Sequence, residues 1–326
     1  MAVMRRILGR IDPLVRIIAA ALILATIIPV QGESKAVAQA IANSAVFLLF
    51  FLNGVRLPRQ EVVRGIANWR LLLPLALFVF LAMTGAGWLA MQLTAMILPP
   101  LLAVGFLYLG VLPSTVQSAT AYSSISGGNV AVSVVAAALL NVAGVFISAP
   151  LFSALAGGQG AAMGTDALVK VFTILLLPFI LGQMSQRWLA GWVSGHKTVT
   201  ALVDRGSIGI AVYVAFSGAV VEGVWSRIAP TDWAVLVLVA SIVLLFGFAG
   251  AWLVSGLLRL DRADRIAFLY AGAQKSIAMG APLATVLFAH DVAGIVLIPL
   301  LTYHFGQMIV SAFVAARLQR PVASLA

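Results

Sequence analysis

Polar side chains are scarce in this chain, so each one inside an apolar run asks for a reason. Lys275 asks most. It lies eleven residues into an apolar stretch spanning about 264–288, and a charge at mid-depth of a bilayer costs at least about 2.5 kcal/mol. Three chemistries would justify it. It could be a fixed positive charge for an anionic ligand, a titrating group that carries a proton, or an ammonium standing where a carrier would hold Na⁺ and tying two interrupted helices together. The bland alternative is a lysine whose stem snorkels its charge to water. Gln274 and Ser276 flank it, with Gly272, Gly280 and Pro282 as nearby helix breakers. A second cluster begins at Pro113, which lacks a backbone donor and frees a carbonyl. Ser114, Thr115, Gln117, Ser118, Thr120, Ser123, Ser124 and Ser126 follow, then Gly127-Gly128. No other stretches combine breakers with so many donors and acceptors. Interrupted helices survive in hydrocarbon only where they line a cavity, and unwound backbone at mid-depth is how carriers build binding sites. Any single Ser here is more simply read as bonding its own helix or a neighbour; the paired clusters together point to a site.

Other buried polar groups are less specific. His304 sits mid-segment near Tyr303 and Gln307, as either a hydrogen-bonded structural residue or a proton relay. Asn129 fits the cap position of the segment that follows it, and Asn141 fits a bond to a neighbouring helix. The acidic residues all fall at segment ends or in loops, so no carboxylate is expected at mid-depth. With no cysteine, thiolate nucleophiles, thiolate metal sites and disulfides are excluded. There is no H-E-x-x-H, no G-x-S-x-G and no mid-depth aspartate pair, so an enzyme is not expected. A retinal-type Schiff base on Lys275 would need a counter-ion carboxylate in the membrane. No metal ligand set is expected.

The elements that must position these groups are membrane helices. Of 326 residues, 62% are apolar and 9% charged, against about 25% charged in a soluble domain. Ten apolar segments cover about 14–30, 37–55, 70–91, 99–124, 130–156, 168–189, 204–223, 232–258, 264–288 and 292–316. The remainder leaves no room for a soluble catalytic or nucleic-acid-binding domain, and the net charge of +10 is better explained by basic residues retained in cytoplasmic loops. With the amino end inside, the inner positions hold Arg5, Arg6, Arg10 and Arg16; Arg56, Arg59, Arg64 and Arg70; Arg187, Lys197 and Arg205; Arg259, Arg262 and Arg265; and Arg317 and Arg320. The outer positions hold only Lys35, Lys170 and Arg227. That asymmetry predicts an integral, multi-pass protein of a plasma or inner membrane with both termini cytoplasmic. Basic residues, an apolar run and Ala36-Val37-Ala38 outline a signal peptide. Retention is expected, because cleavage would leave nine spans.

Five crossings in 1–160 and five in 161–326 make the second half an inverted copy of the first, an arrangement typical of secondary transporters. The echoes are Ile27-Ile28-Pro29 with Leu176-Leu177-Pro178, Asn53-Gly54 with Ser217-Gly218, and the two polar clusters with each other.

Gly128-Asn129-Val130-Ala131-Val132-Ser133-Val134, after a Pro-containing segment 4, resembles the segment 4–5 signature of the bile acid:sodium symporter family. Gln274-Lys275-Ser276, and Phe50-Phe51-Leu52-Asn53-Gly54-Val55-Arg56-Leu57 at the end of segment 2, resemble its divergent, bile-acid-symporter-like (SBF-like) branch. The resemblance covers nearly the whole chain. It implies an all-α integral membrane fold of ten helices, a panel domain of helices 1, 2, 6 and 7, and a core domain of helices 3–5 and 8–10. Helices 4 and 9 would be broken and cross at the midplane. It also implies two Na⁺ sites at that crossover, to which Ser118 or Ala119, Ser133 and Gln274 carry over. Other family ligands do not: the glutamate that binds both ions falls at Tyr270, a threonine falls at Ala137, and Lys275 replaces an asparagine. Residues 71–91 contain no counterpart of a segment 3 glutamine. A lysine without a carboxylate partner repels Na⁺.

The expected function is a secondary transporter of a small organic anion by alternating access, without the usual Na⁺ pair and with H⁺ coupling open. The rival is a non-transporting membrane regulator or scaffold on the same fold. Lys275, Gln274, Ser276, Gln117, Ser118, Thr120, Asn129, Ser133 and His304 are the candidate site residues. Membrane lipids and the anion are the expected partners, nucleic acid is not, and oligomeric state is open.

Overall fold

The computed structural model describes residues 13–57, 68–156, 169–223 and 228–319. Arg5, Arg6, Arg10, Arg59, Arg64, Arg227 and Arg320 of the loop-charge reading, and the acidic residues Asp12, Glu61 and Asp166, lie outside the described residues. Within them every regular element is a helix. In chain order these are α1 (Pro13–Ile27), α2 (Ser34–Arg56), α3 (Trp69–Thr94), α4 (Pro100–Val111), α5 (Gln117–Ile125), α6 (Val130–Ala156), α7 (Val169–Gly195), α8 (Lys197–Val221), α9 (Pro230–Leu257), α10 (Arg262–Ala273), α11 (Ile277–Leu287) and α12 (His290–Leu318). Seven of the described helices, α2, α3, α6, α7, α8, α9 and α12, are each long and apolar enough to cross a bilayer. The fourth and ninth apolar segments arrive instead as the pairs α4/α5 and α10/α11, and α1 has 15 residues.

The two interruptions have different causes. Leu112 precedes Pro113, whose ring disfavours helical backbone in the residue before it. Leu112 is accordingly extended (φ −75°, ψ 148°) and α4 stops. In segment 9 the helix breakers are not responsible, contrary to expectation. Gly272 lies in α10, and Gly280 and Pro282 lie in α11. The interruption falls at Gln274–Ser276, where tertiary bonds replace the helical ladder. Segment ends also differ from the hydropathy reading. α7 continues to Gly195 and α8 begins at Lys197, because a helix keeps its backbone bonds after its apolar face ends. Asp204 therefore lies two turns inside α8, buried, rather than at its start.

The chain forms two compact units. The first contains α1, α2, α7 and α8 with residues Ala281–Ile295. In it α2 and α7 touch backbone to backbone. A Cβ on Gly54 would collide with the Phe179 carbonyl, and one on Gly182 with that of Phe51. Arg56 at the end of α2 pairs with Asp204 of α8. The second unit contains α3–α6, α9 and α10, the start of α11 up to Gly280, and the chain from Val296. Its closest crossing joins α3 to α4: a Cβ on Gly110 would lie 2.8 Å from the Met83 carbonyl and 3.1 Å from Gly87 Cα.

Candidate functional site

Both interruptions lie in the second unit and bond directly to each other. Ser276 N–H donates to the Pro113 carbonyl at 2.9 Å. Around this link several backbone groups released by the broken ladders find side-chain partners, as a low-dielectric interior favours. The Val111 carbonyl accepts from Ser148 (2.8 Å), the Ser114 carbonyl from Asn141 (2.6 Å), and the Ala273 carbonyl from Tyr303 (2.6 Å). Ser276 Oγ accepts from Met279 N–H at 3.2 Å, which starts α11.

Lys275 is fully buried. An ammonium has three N–H donors and no acceptor. Its Nζ reaches three carbonyls: Leu112 at 2.7 Å, Gly110 at 2.8 Å and Val79 at 3.2 Å. Leu112 is in the interruption and Gly110 in the last turn of α4, where the negative end of the helix dipole favours a cation. Val79 belongs to a wide π-type turn, Phe78–Ala82, inside α3. Such a turn opens the regular backbone ladder. The Gly87–Gly110 contact draws α3 and α4 close enough for one ammonium to serve both. Thr84 Oγ1 adds a second, longer donor to Gly110 at 3.3 Å.

The Lys275 backbone is held by α12. Gln307 Oε1 accepts from Lys275 N–H at 2.8 Å, and Gln307 Nε2 donates to the Lys275 carbonyl at 3.1 Å. The side-chain amide thus acts as a substitute peptide group. Because a backbone N–H can only donate, this pairing fixes which way the amide points. Gln307 Nε2, 2.9 Å from His304 Nδ1, must donate there too, so the imidazole carries its proton on Nε2. Gln274 occupies the neighbouring position. Its Oε1 accepts from Thr115 (2.5 Å) and Ser118 (2.7 Å), and its Nε2 donates to Ser311 (2.9 Å).

Of the candidate residues, Lys275, Gln274, Ser276, Ser118 and His304 therefore belong to one network. Gln117 is exposed in the first turn of α5 and stands outside it. Asn129 has the capping role: its Oδ1 accepts from Val132 N–H at 3.2 Å at the start of α6, and its Nδ2 donates to Asp264 at 2.8 Å. The Thr120 and Ser133 hydroxyls are buried without a hydrogen-bond partner, as is that of Ser123. Tyr270, where the family resemblance expects a glutamate, is buried, bonds Ser126 Oγ at 2.8 Å and stacks on Tyr122 with ring centroids 5.8 Å apart.

Several participants were not proposed as site residues from the sequence, Tyr303 and Gln307 having been noted only as neighbours of His304. The Tyr303, Gln307 and Ser311 side chains share one α12 face at intervals of four residues, and that stride inside an apolar segment was the available signal. The Val79 carbonyl had none, because main-chain atoms and a π-type turn leave no residue signature.

A family model for the SBF-like CPA transporter family matches residues 12–320. The Escherichia coli (strain K12) protein named "Putative symporter YfeH" is 34% identical over 320 residues, covering 97% of this chain and 95% of its own. Mouse sodium/bile acid cotransporter 7 is 24% identical over 275 residues, covering 82% of this chain and 80% of its own. The family match runs through both compact units, including every residue of the interrupted-helix network. The protein is a multi-pass membrane protein and belongs to the SBF-like CPA transporter family.

Proposed function

We propose that the protein is a secondary transporter of a small organic anion, working by alternating access, and that it does not use a pair of Na⁺ ions. The observation that carries this reading is the Lys275 ammonium, with all three donors on main-chain carbonyls where the two interruptions meet. A resident cation there makes a second, mobile one unfavourable. Tyr270 gives the same direction, since a phenol replaces the charged ligand a Na⁺ pair would need. Membership of a transporter family supports transport, and the names of the E. coli and mouse relatives, a symporter and a sodium/bile acid cotransporter, support a coupled carrier and an anionic substrate; the Na⁺ independence proposed here sets this chain apart from the mouse protein's name and rests on Lys275 and Tyr270. With its donors engaged, Lys275 would favour an anion through its field rather than by direct contact. H⁺ is then the coupling ion to test.

On this reading the seven long helices, α1, and the pairs α4/α5 and α10/α11 make ten crossings in two inverted halves, 1–160 and 161–326. The unit of α1, α2, α7 and α8 would be the panel and the other unit the core, with Ala281–Ile295 of segments 9 and 10 falling in the first unit rather than with the core. Both termini would be cytoplasmic. That orientation rests on the charge asymmetry of the loops; Arg70, Arg187, Arg265 and Arg317 each lie over an aromatic ring, which suits a membrane interface on either side.

The test is uptake of a panel of organic anions into reconstituted vesicles, in Na⁺, in K⁺ and across a pH step. Uptake is expected to be indifferent to Na⁺ and lost in Lys275→Met. A steep, saturating dependence on Na⁺ would refute the cation assignment. One observation favours a second reading, a non-transporting regulator or scaffold: Gln274 and Lys275 spend their donors within the protein. On that reading no anion in the panel raises the melting temperature of the purified protein, whereas a bound substrate must.

A further inference from the structure

We propose that the carbonyl oxygens of Val79, Gly110 and Leu112 form a cation cage suited to an ammonium or potassium ion rather than to sodium, filled by the chain's own Lys275. This deepens the transport reading by naming the cation class of the crossing. The contacts of 2.7, 2.8 and 3.2 Å fall within the span of N–H···O bonds, about 2.7–3.2 Å. They are wider than the oxygen contacts of Ca²⁺, about 2.3–2.6 Å, an ion close to Na⁺ in size. The three oxygens come from a π-type turn, a helix C-terminus and an extended residue, and none is a charged side chain. Such a ring of neutral dipoles replaces the shell of a weakly hydrated cation better than that of a strongly hydrated one. The cage is rigid because α3 and α4 touch at Gly87 and Gly110, and the far side of Lys275 is pinned by Gln307. Removing the side chain should therefore leave the cage standing, open to a small primary amine in its protonated form.

The experiment measures the melting temperature of the purified full-length Lys275→Ala protein at fixed ionic strength, titrating the counter-cation. The variant keeps Cβ, and the non-bonded gap to that carbon takes up roughly one methylene. Ethylammonium is thus expected to fit best, ahead of methyl- and butylammonium. A saturating rise of several degrees is expected with ethylammonium, a smaller one with ammonium or K⁺, and none with Na⁺ or with tetramethylammonium, which has no N–H to donate. Wild type and Lys275→Met, whose cage is already filled or blocked, should not respond. Equal responses to all cations, or the same response in wild type, would overturn the proposal. If Lys275→Ala cannot be recovered folded in any amine, Lys275→Gln decides. Its side-chain amide can serve two carbonyls, so it should melt between wild type and Lys275→Met. Equal melting of the Gln and Met variants would show that donors to the cage do not matter and would end the idea. No substrate enters this assay, so failure of the cage and failure of the transport reading are separable.

Discussion

Replacing Gln307 by Met isolates the contribution of a single side-chain amide to the segment 9 interruption. Met has similar length and volume, so packing is nearly conserved, but it offers neither a donor nor a strong acceptor. The Lys275 N–H loses its 2.8 Å acceptor and the Lys275 carbonyl its 3.1 Å donor. Both groups are buried. Each orphaned group costs about 1–3 kcal/mol, so the pair costs about 2–6 kcal/mol. The loss of the His304 contact adds to that. With an unfolding entropy of about 2.1 cal/mol/K per residue, a chain of 326 residues shifts Tm by about 1.5 °C per kcal/mol, so a fall of at least about 3 °C is expected. The assay is thermal unfolding of purified wild type and variant in one detergent. Exposed Gln92 provides the control: Gln92→Met should stay within about 0.5 kcal/mol of wild type. Hydrogen exchange gives a local readout, in which the amide of Lys275 loses protection first. Equal melting of the two Met variants, with that amide still protected, would refute the view that the interruption is held by Gln307.

Other perturbations test the remaining contacts. Gly87→Ala places a methyl against the Phe106 carbonyl, forcing α3 from α4 and pulling the Val79 and Gly110 oxygens apart. Large destabilisation and loss of uptake are expected, while Gly85→Ala, which meets nothing within 4 Å, should be neutral or stabilising by up to about 1 kcal/mol. Asn129→Ala removes the α6 cap and the bond to Asp264; a loss of about 0.5–2 kcal/mol is expected for the cap alone, read by thermal melting, with Asn129→Ser recovering most of it. Asp204→Asn strands the Arg56 guanidinium, whose side chain is 30% exposed. The loss should therefore fall below the about 3–5 kcal/mol seen when fully buried pairs are broken, and a double-mutant cycle with Arg56→Gln would measure the coupling.

The helical class, the approximate spans and the special standing of Lys275 were legible because each depends on side-chain chemistry: apolar runs of bilayer length, and a charge where none should be. Pro113 was legible for the same reason, since its ring acts on the residue beside it. The second interruption was only half legible. Gly272, Gly280 and Pro282 drew attention to the right stretch, but all three fold into helix and the break falls between them. What opens it is Gln307 and the Pro113 carbonyl, 32 and more than 160 residues away along the chain. The ammonium's partners were illegible for a simpler reason. Val79, Gly110 and Leu112 contribute oxygens that every residue possesses, and only three-dimensional placement singles them out. Asn129 shows the opposite case, where a residue weighed both for a cap and for a ligand is used as the cap.

The bond from Ser276 N–H to the Pro113 carbonyl bears on how such a chain can change over generations. Neither interruption can heal by itself. Were residue 113 to become an ordinary helix former and its carbonyl turn inward, an amide across the protein would be stranded without water. Were Gln274–Ser276 to coil up, the proline's carbonyl would be stranded instead. Viable drift must thus proceed by matched substitutions at the two interruptions, which keep or lose their irregularity together.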